Sequence, residues 1–375
     1  MATTLVRTRV RFKALWRRLG PVKYLAVAGS ALSLLLLPVA PTVADDAIPV
    51  ETPGSLAAPL NVVAEQSGSS LQVSWDAVPG ATSYQVLADP TGLTCTTPTT
   101  SCVFDTLPVR TTYTFTVTAS DATTVSVASV PSAPVRLRAL LSEPIFASDK
   151  VLVGRSVRGR KIWAVRQGNP LAVDVLLSVG QMHGSEPAGL RVTDRLRAKT
   201  VPADADYQLW TIRSMNPDGA ARGNRYNARG VDLNRNFPGT WSSGQYRSGR
   251  GPGSEPETRA MMRFLKRLKP TGVLSFHQPW DTVLSVCDQR SAYWVRRTAQ
   301  LIGLRQPGRP SDCGRWLPGT MNRWTARNTQ SWFVTVELAP SHRLGAQVRK
   351  SASAVVRLAE EMAADSGPAL GMASG

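Results

Sequence analysis

The sequence predicts an α/β domain with a mixed, mainly parallel sheet flanked by helices, preceded by an all-β sandwich. The α/β prediction rests on two apolar runs, 173–180 and 271–277, that are typical of buried strands. Amphipathic helices are predicted at 254–269 and 343–365, and strands that alternate with helices favour a parallel sheet. The sandwich prediction rests on short alternating runs, separated by turns, from residue 59 to 140.

The first 44 residues are typical of a secretory signal peptide. Basic residues without any acid precede an apolar stretch, and small residues ending at Ala44 offer a cleavage site. A linker rich in Pro, Ala and Ser is predicted at 45–58. We therefore expect an exported protein, secreted or held at the cell surface, with an uncleaved N-terminal anchor as the alternative to cleavage. No later apolar run reaches the roughly 18 residues of a membrane span.

The charge of the chain bears on its partners. Loss of the predicted leader, with its seven basic residues and no acid, would lower the formal net charge from +18 to +11. The arginines are scattered along the chain, so no nucleic-acid partner is expected for an exported protein. An anionic cell wall or membrane surface fits the charge better, and a solvated basic surface without a partner explains it as well.

The four cysteines form two local pairs, Cys95 with Cys102 and Cys287 with Cys313. In an oxidising compartment this arrangement predicts two disulfides. The CxxC spacing of thiolate zinc sites does not occur in the sequence.

The segment 59–140 resembles a fibronectin type III domain. Trp75 stands where that domain has its core tryptophan, and Leu107 lies six residues before Tyr113, the expected corner tyrosine. Such a domain is more often a spacer or a docking module than a catalyst. The resemblance implies no catalytic site in this part of the chain.

A candidate metal site emerges from the few histidines of the chain. His183 and Glu186 follow one predicted strand, and His277 ends another. An isolated His-x-x-Glu pair is often only the first turn of a helix, where a glutamate is favoured by the helix dipole. The second histidine at a strand end changes this, because ligands of α/β sheets sit at the carboxyl ends of strands. Three protein ligands would leave the fourth coordination position open for a water molecule or the substrate, as catalytic zinc requires.

Two further features have the chemistry of a peptidase. Glu337 ends the apolar run "WFVTVEL", where it could serve as proton carrier for a zinc-activated water or could be a salt-bridged strand-end residue. The segment 216–238 is rich in arginine and asparagine, which match a carboxylate bidentately. Its four arginines are Arg222, Arg225, Arg229 and Arg235. A zinc ion, a base and a carboxylate clamp together indicate removal of a C-terminal residue.

From about residue 150 to 362 the chain resembles the zinc metallocarboxypeptidases, and we expect this domain to span 141–365, before a flexible tail at 366–375. The shared motifs, in the family's order, are "IWAVRQGNP", "HGSE", "NPDG", "GVDLNRNFP", "GSEPETRA", "SFHQP" and "VTVEL". The resemblance implies one Zn²⁺ ion bound by His183, Glu186 and His277.

The same resemblance implies the roles of the remaining residues. Glu337 would be the general base and acid, and Asp232 would orient the first zinc histidine. Asn234 and Arg235 would hold the terminal carboxylate of the substrate. Arg225 would polarise the scissile carbonyl and stabilise the oxyanion. The implied partner is a peptide with a free C-terminal carboxylate.

Within the family, the chain is most similar to the short bacterial branch that includes murein tripeptide amidase and cuts γ-D-glutamyl–diaminopimelate bonds in cell-wall peptides. The digestive enzymes of the family have a flap tyrosine that covers the bound substrate. This sequence has no counterpart, because Tyr293, its only tyrosine after His277, lies too early in the chain. The residue that would cover the substrate is therefore not identified. Asp312 with Arg315 or Arg323 could recognise diaminopimelate, or could form a surface salt bridge. An N-acyl amino acid deacylase of related fold and a non-catalytic wall-binding protein are the alternative functions.

Overall fold

The computed structural model describes residues 55–285, 289–306, 317–340 and 344–364. The predicted signal peptide at 1–44, the first part of the predicted linker, and the predicted tail at 366–375 lie outside these ranges. Cys287, Cys313, Asp312 and Arg315 also lie outside them, so the second disulfide and the diaminopimelate pocket stay predictions. Among the helices in the described ranges, none combines the length and the apolar character needed to cross a bilayer.

The described part of the chain folds into a strand-rich N-terminal region and a larger α/β domain. The strands are β1 Val63–Ser67, β2 Ser70–Ser74, β3 Ser83–Asp89, β4 Leu93–Thr97, β5 Ser101–Phe104, β6 Thr112–Ser120, β7 Val135–Arg136, β8 Lys150–Arg155, β9 Lys161–Gly168, β10 Asp174–Val179, β11 Tyr207–Ile212, β12 Gly272–His277, β13 Thr282–Ser285 and β14 Trp332–Glu337. The helices are α1 Ala188–Arg197, α2 Pro217–Ala220, α3 Pro256–Leu268, α4 Gln289–Ile302, α5 Met321–Asn328 and α6 Leu344–Ala363.

The N-terminal region is a sandwich of two antiparallel sheets, as the sequence predicts. One sheet has the order β1-β2-β5 and the other β4-β3-β6-β7. Trp75 and Tyr113 lie in its core, and the Tyr113 hydroxyl donates to the Pro108 carbonyl at 2.8 Å, which is the expected tyrosine corner. A disulfide joins Cys95 to Cys102. Leu56, within the predicted linker, packs against this core.

The α/β domain is built on a mixed sheet of seven strands in the order β13-β14-β12-β10-β11-β9-β8. The four central strands, β14, β12, β10 and β11, run parallel, and the outer strands β13, β9 and β8 pair antiparallel. The predicted mixed sheet is therefore confirmed, with its parallel part at the centre. The carboxyl ends of β10, β12 and β14 therefore lie side by side, along the edge of the sheet that is formed by strand ends.

Helices cover both faces of this sheet because its central strands are apolar on both sides. Leu176 faces the layer of α1, α4 and α6, whereas its strand neighbours Val175 and Leu177 face α3 and α5. The predicted helices at 254–269 and 343–365 correspond to α3 and α6. Both layers hold the central strands rigidly, which fixes the positions of the side chains that follow them.

The sandwich contacts the amino ends of the parallel strands. Arg110 pairs with Asp174, the first residue of β10, at 2.6 Å, and Arg136 pairs with Asp206, just before β11, at 2.9 Å. Since the carboxyl ends of parallel strands lie at the opposite edge, the sandwich does not cover that edge.

Candidate functional site

Three of the predicted site residues come together at the carboxyl edge of the sheet. His183 and Glu186 lie in the turn between β10 and α1, and His277 is the last residue of the neighbouring strand β12. All three are buried, with exposed fractions of 2%, 6% and 4%. Their potential ligand atoms lie within 4.8 Å of one another, which makes them a group that could hold a metal ion.

The inner contacts of this group join imidazole nitrogens to a carboxylate. Nδ1 of His183 lies 2.9 Å from Oε1 of Glu186, and Nδ1 of His277 lies 3.1 Å from Oε2 of the same residue. The two Nδ1 atoms are 3.2 Å apart. Two nitrogens and a carboxylate that converge on one point form the donor set of a catalytic zinc site.

The outer nitrogen of each imidazole also has a partner. Nε2 of His183 lies 3.0 Å from Oδ1 of Asp232, which is where the sequence places the orienting aspartate. Nε2 of His277 lies 3.1 Å from Oγ of Ser275, a residue that the sequence analysis did not identify. The strand period of two puts Ser275 on the same face as His277 and could have indicated it. With Nε2 protonated towards these acceptors, both Nδ1 atoms are free to bind a metal, so the residues fit zinc.

Glu337 lies beside this group in the sheet. It ends β14 in register with His277, and only 7% of it is exposed. Its Oε2 atom is buried and accepts no hydrogen bond from the described residues. Burial raises the pKa of the Glu337 carboxyl, and the Glu186 charge adds to this increase. A buried carboxylate oxygen without a partner is costly, which argues against the alternative of a salt-bridged strand-end residue.

The opposite shift holds for the other two carboxylates of the site. Burial disfavours their charged forms, but hydrogen bonds from His183 and His277 lower the pKa of Glu186 to about 2. The hydrogen bond and the charge of His183 also keep the pKa of Asp232 well below its ordinary value, despite burial. Both groups are therefore anionic at neutral pH, as a metal ligand and the acceptor of an imidazole N–H should be.

Arg225 links Glu186 and Asp232. Its Nη1 donates to Oε1 of Glu186 at 2.8 Å, and its Nε donates to Oδ2 of Asp232 at 3.1 Å. About a third of the side chain, 36%, stays exposed. The guanidinium is thus fixed at the border between the metal-binding group and solvent, where a substrate carbonyl would approach.

Asn234 and Arg235 lie on a short 3₁₀ turn, Leu233–Arg235, beyond Asp232. Asp232 accepts from the Asn234 amide, and Asn234 in turn accepts from the Met321 amide at 3.0 Å. Gly319 packs against the Arg235 backbone so closely that a Cβ atom there would lie 2.1 Å from the Arg235 carbonyl oxygen. The sequence did not indicate that the segment before α5 supports this turn.

The other two arginines of the predicted carboxylate clamp have different partners. Arg222 donates to the carbonyls of Asp218 and Asn227, and Arg229 pairs with the buried Glu255 at 3.6 Å. These contacts stabilise the loop instead of facing the site. The sequence could not distinguish these two arginines from the other two, because basic and amide residues alternate throughout the segment.

Two glycines allow the turn after β10 to pack closely against the NPDG motif at 216–219. A Cβ atom on Gly184 would lie 2.0 Å from the Gly219 carbonyl carbon, and one on Gly219 would lie 2.6 Å from the Tyr226 carbonyl oxygen. Only glycine permits this close approach of backbones. The contact places the Arg225 segment directly against the turn that carries His183.

Comparisons with known proteins identify both regions of the chain. Residues 142–305 match the zinc carboxypeptidase family, and residues 57–135 match the fibronectin type III domain. Both resemblances drawn from the sequence are therefore confirmed. The zinc carboxypeptidase match, together with the buried group of two histidines and a glutamate, identifies zinc as the cofactor.

Among known proteins, the chain is similar to murein peptide amidase A of Escherichia coli strain K12, with 33% identity over 145 residues, 34% of this chain and 57% of the relative. For murein peptide amidase A of Vibrio campbellii the identity is 30% over 174 residues, 42% of this chain and 66% of the relative. The chain thus spans about half to two thirds of these relatives. The crystal structure of murein-tripeptide amidase MpaA from Escherichia coli O157 is 27% identical, with a TM-score of 0.49, over 57% of this chain and 93% of that one.

Proposed function

Since the chain carries a zinc carboxypeptidase domain behind a fibronectin type III domain, we propose that it is an exported zinc-dependent carboxypeptidase that acts on cell-wall peptides. The observation that carries the proposal is the buried Oε2 atom of Glu337, which accepts no hydrogen bond from the described residues and lies beside the group of His183, Glu186 and His277. A metal-binding group alone could be structural. A neighbouring carboxylate with an oxygen that no described residue occupies favours hydrolysis.

In the proposed mechanism, one zinc ion bound by His183, Glu186 and His277 would polarise the scissile carbonyl and acidify the attacking water. Glu337 takes a proton from that water as general base and delivers it to the leaving amine as general acid. Burial suits Glu337 for both steps, because it raises the pKa of the carboxyl towards the working pH.

The remaining residues bind and orient the substrate. Asn234 and Arg235 hold the terminal carboxylate of the leaving residue, which restricts cleavage to the C-terminal bond. Arg225, fixed by its contacts with Glu186 and Asp232, donates to the carbonyl oxygen as negative charge develops on it. Because Arg225 is already oriented, little reorganisation accompanies the reaction.

The substrate class is proposed from the murein peptide amidases to which the chain is similar, and from its predicted export. The bond would be that between γ-D-glutamate and diaminopimelate. The sandwich contacts the sheet at the edge opposite the site, so it would serve as a spacer or as a docking module for the anionic wall and leave the substrate path open.

The test is digestion of a defined peptide pool by the purified mature chain, with and without a chelator, read by mass spectrometry. The pool contains L-Ala-γ-D-Glu-diaminopimelate, ordinary α-linked peptides and N-acyl amino acids. Chelator-sensitive release of diaminopimelate is expected. Release of ordinary C-terminal residues alone would contradict the murein substrate, and cleavage of N-acyl amino acids alone would favour the deacylase. No cleavage of any component would favour a non-catalytic wall-binding protein.

A further inference from the structure

A cationic and aromatic cluster lies on the loop that carries Arg225 and on the segment whose backbone contacts Asp232. It consists of Tyr226, Tyr246 and Arg247, and we call it the rim cluster. The Arg247 guanidinium carbon lies 5.1 Å from the Tyr226 ring centre and 5.3 Å from that of Tyr246. The two rings are 6.3 Å apart at an angle of 70°, so the guanidinium packs against both. Tyr246 is 67% exposed.

The backbone that carries this cluster is fixed to the catalytic loop. Arg247 has a positive φ of 59°, which is uncommon for a residue with a side chain. Its carbonyl accepts from the amide of Asp232 at 2.9 Å. The next residue, Ser248, is buried, and its carbonyl accepts from the Asn236 side chain at 2.9 Å. A strained conformation held by its surroundings in this way is typical of a functional position.

The position of the cluster suggests which part of a substrate it would meet. Arg225, the residue before Tyr226, borders the metal-binding group, and Asn234 and Arg235 are proposed to bind the residue that leaves. The residue that precedes the scissile bond must then extend towards solvent, past the exposed side of Arg225. The rim cluster is joined to Arg225 twice, through the chain at Tyr226 and through Asp232, which contacts both Arg225 and the Arg247 carbonyl.

The Arg247 guanidinium has the Tyr246 hydroxyl as a hydrogen-bond partner. No acidic side chain in the described ranges forms an ion pair with Arg247, although several other arginines of the domain have such partners. Two tyrosine rings restrict its side-chain freedom, so that less entropy is lost when it binds a ligand. An oriented guanidinium without a counter-ion is suited to a carboxylate.

We propose that Arg247 binds a carboxylate on the substrate residue that precedes the scissile bond, and that this contact selects γ-linked glutamyl substrates. The inference rests on the proposed function and deepens it. A γ-linked glutamate keeps its α-carboxylate free at this place, whereas an α-linked peptide has a backbone amide there. The site would thus recognise two carboxylates, one on each side of the bond that is cut.

The test uses two peptides that differ in one group. L-Ala-γ-D-Glu-diaminopimelate is compared with the same peptide in which the α-carboxylate of glutamate is an amide. Their kcat/KM values are measured with the zinc-loaded full chain, and their binding is measured by calorimetry on the Glu337→Gln protein. The variant is Arg247→Asn, because asparagine tolerates a positive φ. Arg250→Asn, which removes an exposed arginine of the same loop, is the matched control.

We expect the original chain to prefer the free carboxylate by about 10- to 100-fold, the range of a charge-assisted hydrogen bond. Arg247→Asn should reduce this ratio to about one, and Arg250→Asn should leave it unchanged. Zinc content equal to that of the original chain verifies that Arg247→Asn has folded. A ratio that Arg247→Asn does not change, or the absence of any preference in the original chain, would overturn the inference. Carboxylate-dependent binding without hydrolysis would instead contradict the proposed function and support the role of Arg247.

Discussion

Ser275 and His277 lie on the same face of β12, with Oγ of the serine 3.1 Å from Nε2 of the histidine. The serine thereby does for His277 what Asp232 does for His183, since each holds the outer nitrogen and directs Nδ1 inward. Such outer partners typically contribute 10- to 100-fold in metal affinity. We expect Ser275→Ala to weaken zinc binding about 10-fold, measured by competition with a chromophoric chelator. Ser178→Ala, another buried serine of the sheet, serves as the control, and equal affinities of the two variants would contradict the role of Ser275.

Glu337→Gln should stabilise the metal-free fold at neutral pH. Burial raises the pKa of this carboxyl from its ordinary 4.5, so the folded state favours the protonated form. Its contribution to stability is therefore complete below the ordinary pKa and is lost as the pH rises through the raised value. At pH 7 we expect the variant to gain on the order of 1 kcal/mol in the free energy of unfolding, and near pH 4 no gain. Urea unfolding of chelated protein at both pH values measures this. A loss at pH 7 would mean that the carboxylate has a stabilising partner.

Arg235→Gln should impair substrate binding more than fold stability. Loss of the guanidinium removes a charge-assisted contact with the terminal carboxylate, so we expect kcat/KM to fall by about two orders of magnitude, mostly through KM. Arg222→Gln is the comparison, because Arg222 and Arg235 both donate to backbone carbonyls of the same segment, but only Arg235 is proposed to bind the substrate. Amidation of the peptide C-terminus removes the terminal carboxylate. It should therefore slow cleavage by the original chain much more than cleavage by Arg235→Gln. If amidation still abolishes cleavage by Arg235→Gln as strongly as in the original chain, another residue binds the carboxylate.

Arg110→Met should destabilise the protein by about 1–3 kcal/mol, because it removes a charged partner of the buried Asp174 carboxylate. The side chain of Asp174 is only 8% exposed in this pair between the sandwich and the sheet. Arg138→Met should cost less than about 1 kcal/mol, since one of its partners, Asp204, is 73% exposed. Denaturant unfolding of both variants measures the difference. Equal losses would show that burial does not distinguish the two contacts.

The sequence predicted the parts of the site that lie on regular strands. His277 and Glu337 end apolar runs of the kind that form parallel strands, so their meeting at one edge followed from strand direction. His183 could be placed for the same reason. The resemblance to a known family then supplied roles for Asp232, Asn234 and Arg235.

The contacts that the sequence did not reveal depend on how irregular segments fold. Gly184 and Gly219 meet because two turns cross, and no local pattern determines such a crossing. Among the four arginines of the loop, Arg225 contacts Glu186 and Asp232 whereas Arg229 contacts Glu255, and only the three-dimensional path of the chain determines these partners. The antiparallel strands at the sheet edges likewise depend on the direction in which long connections return.

The most direct test of the central claim is to measure zinc content and peptide hydrolysis together in Glu337→Gln, with His277→Ala alongside. The assignment of the site predicts that Glu337→Gln retains one zinc ion per chain while turnover falls by at least about 1,000-fold, because only the proton carrier is removed. His277→Ala should lose both the zinc and the activity. Loss of zinc from Glu337→Gln would mean that Glu337 is itself a ligand, and retained turnover would mean that another group carries the proton.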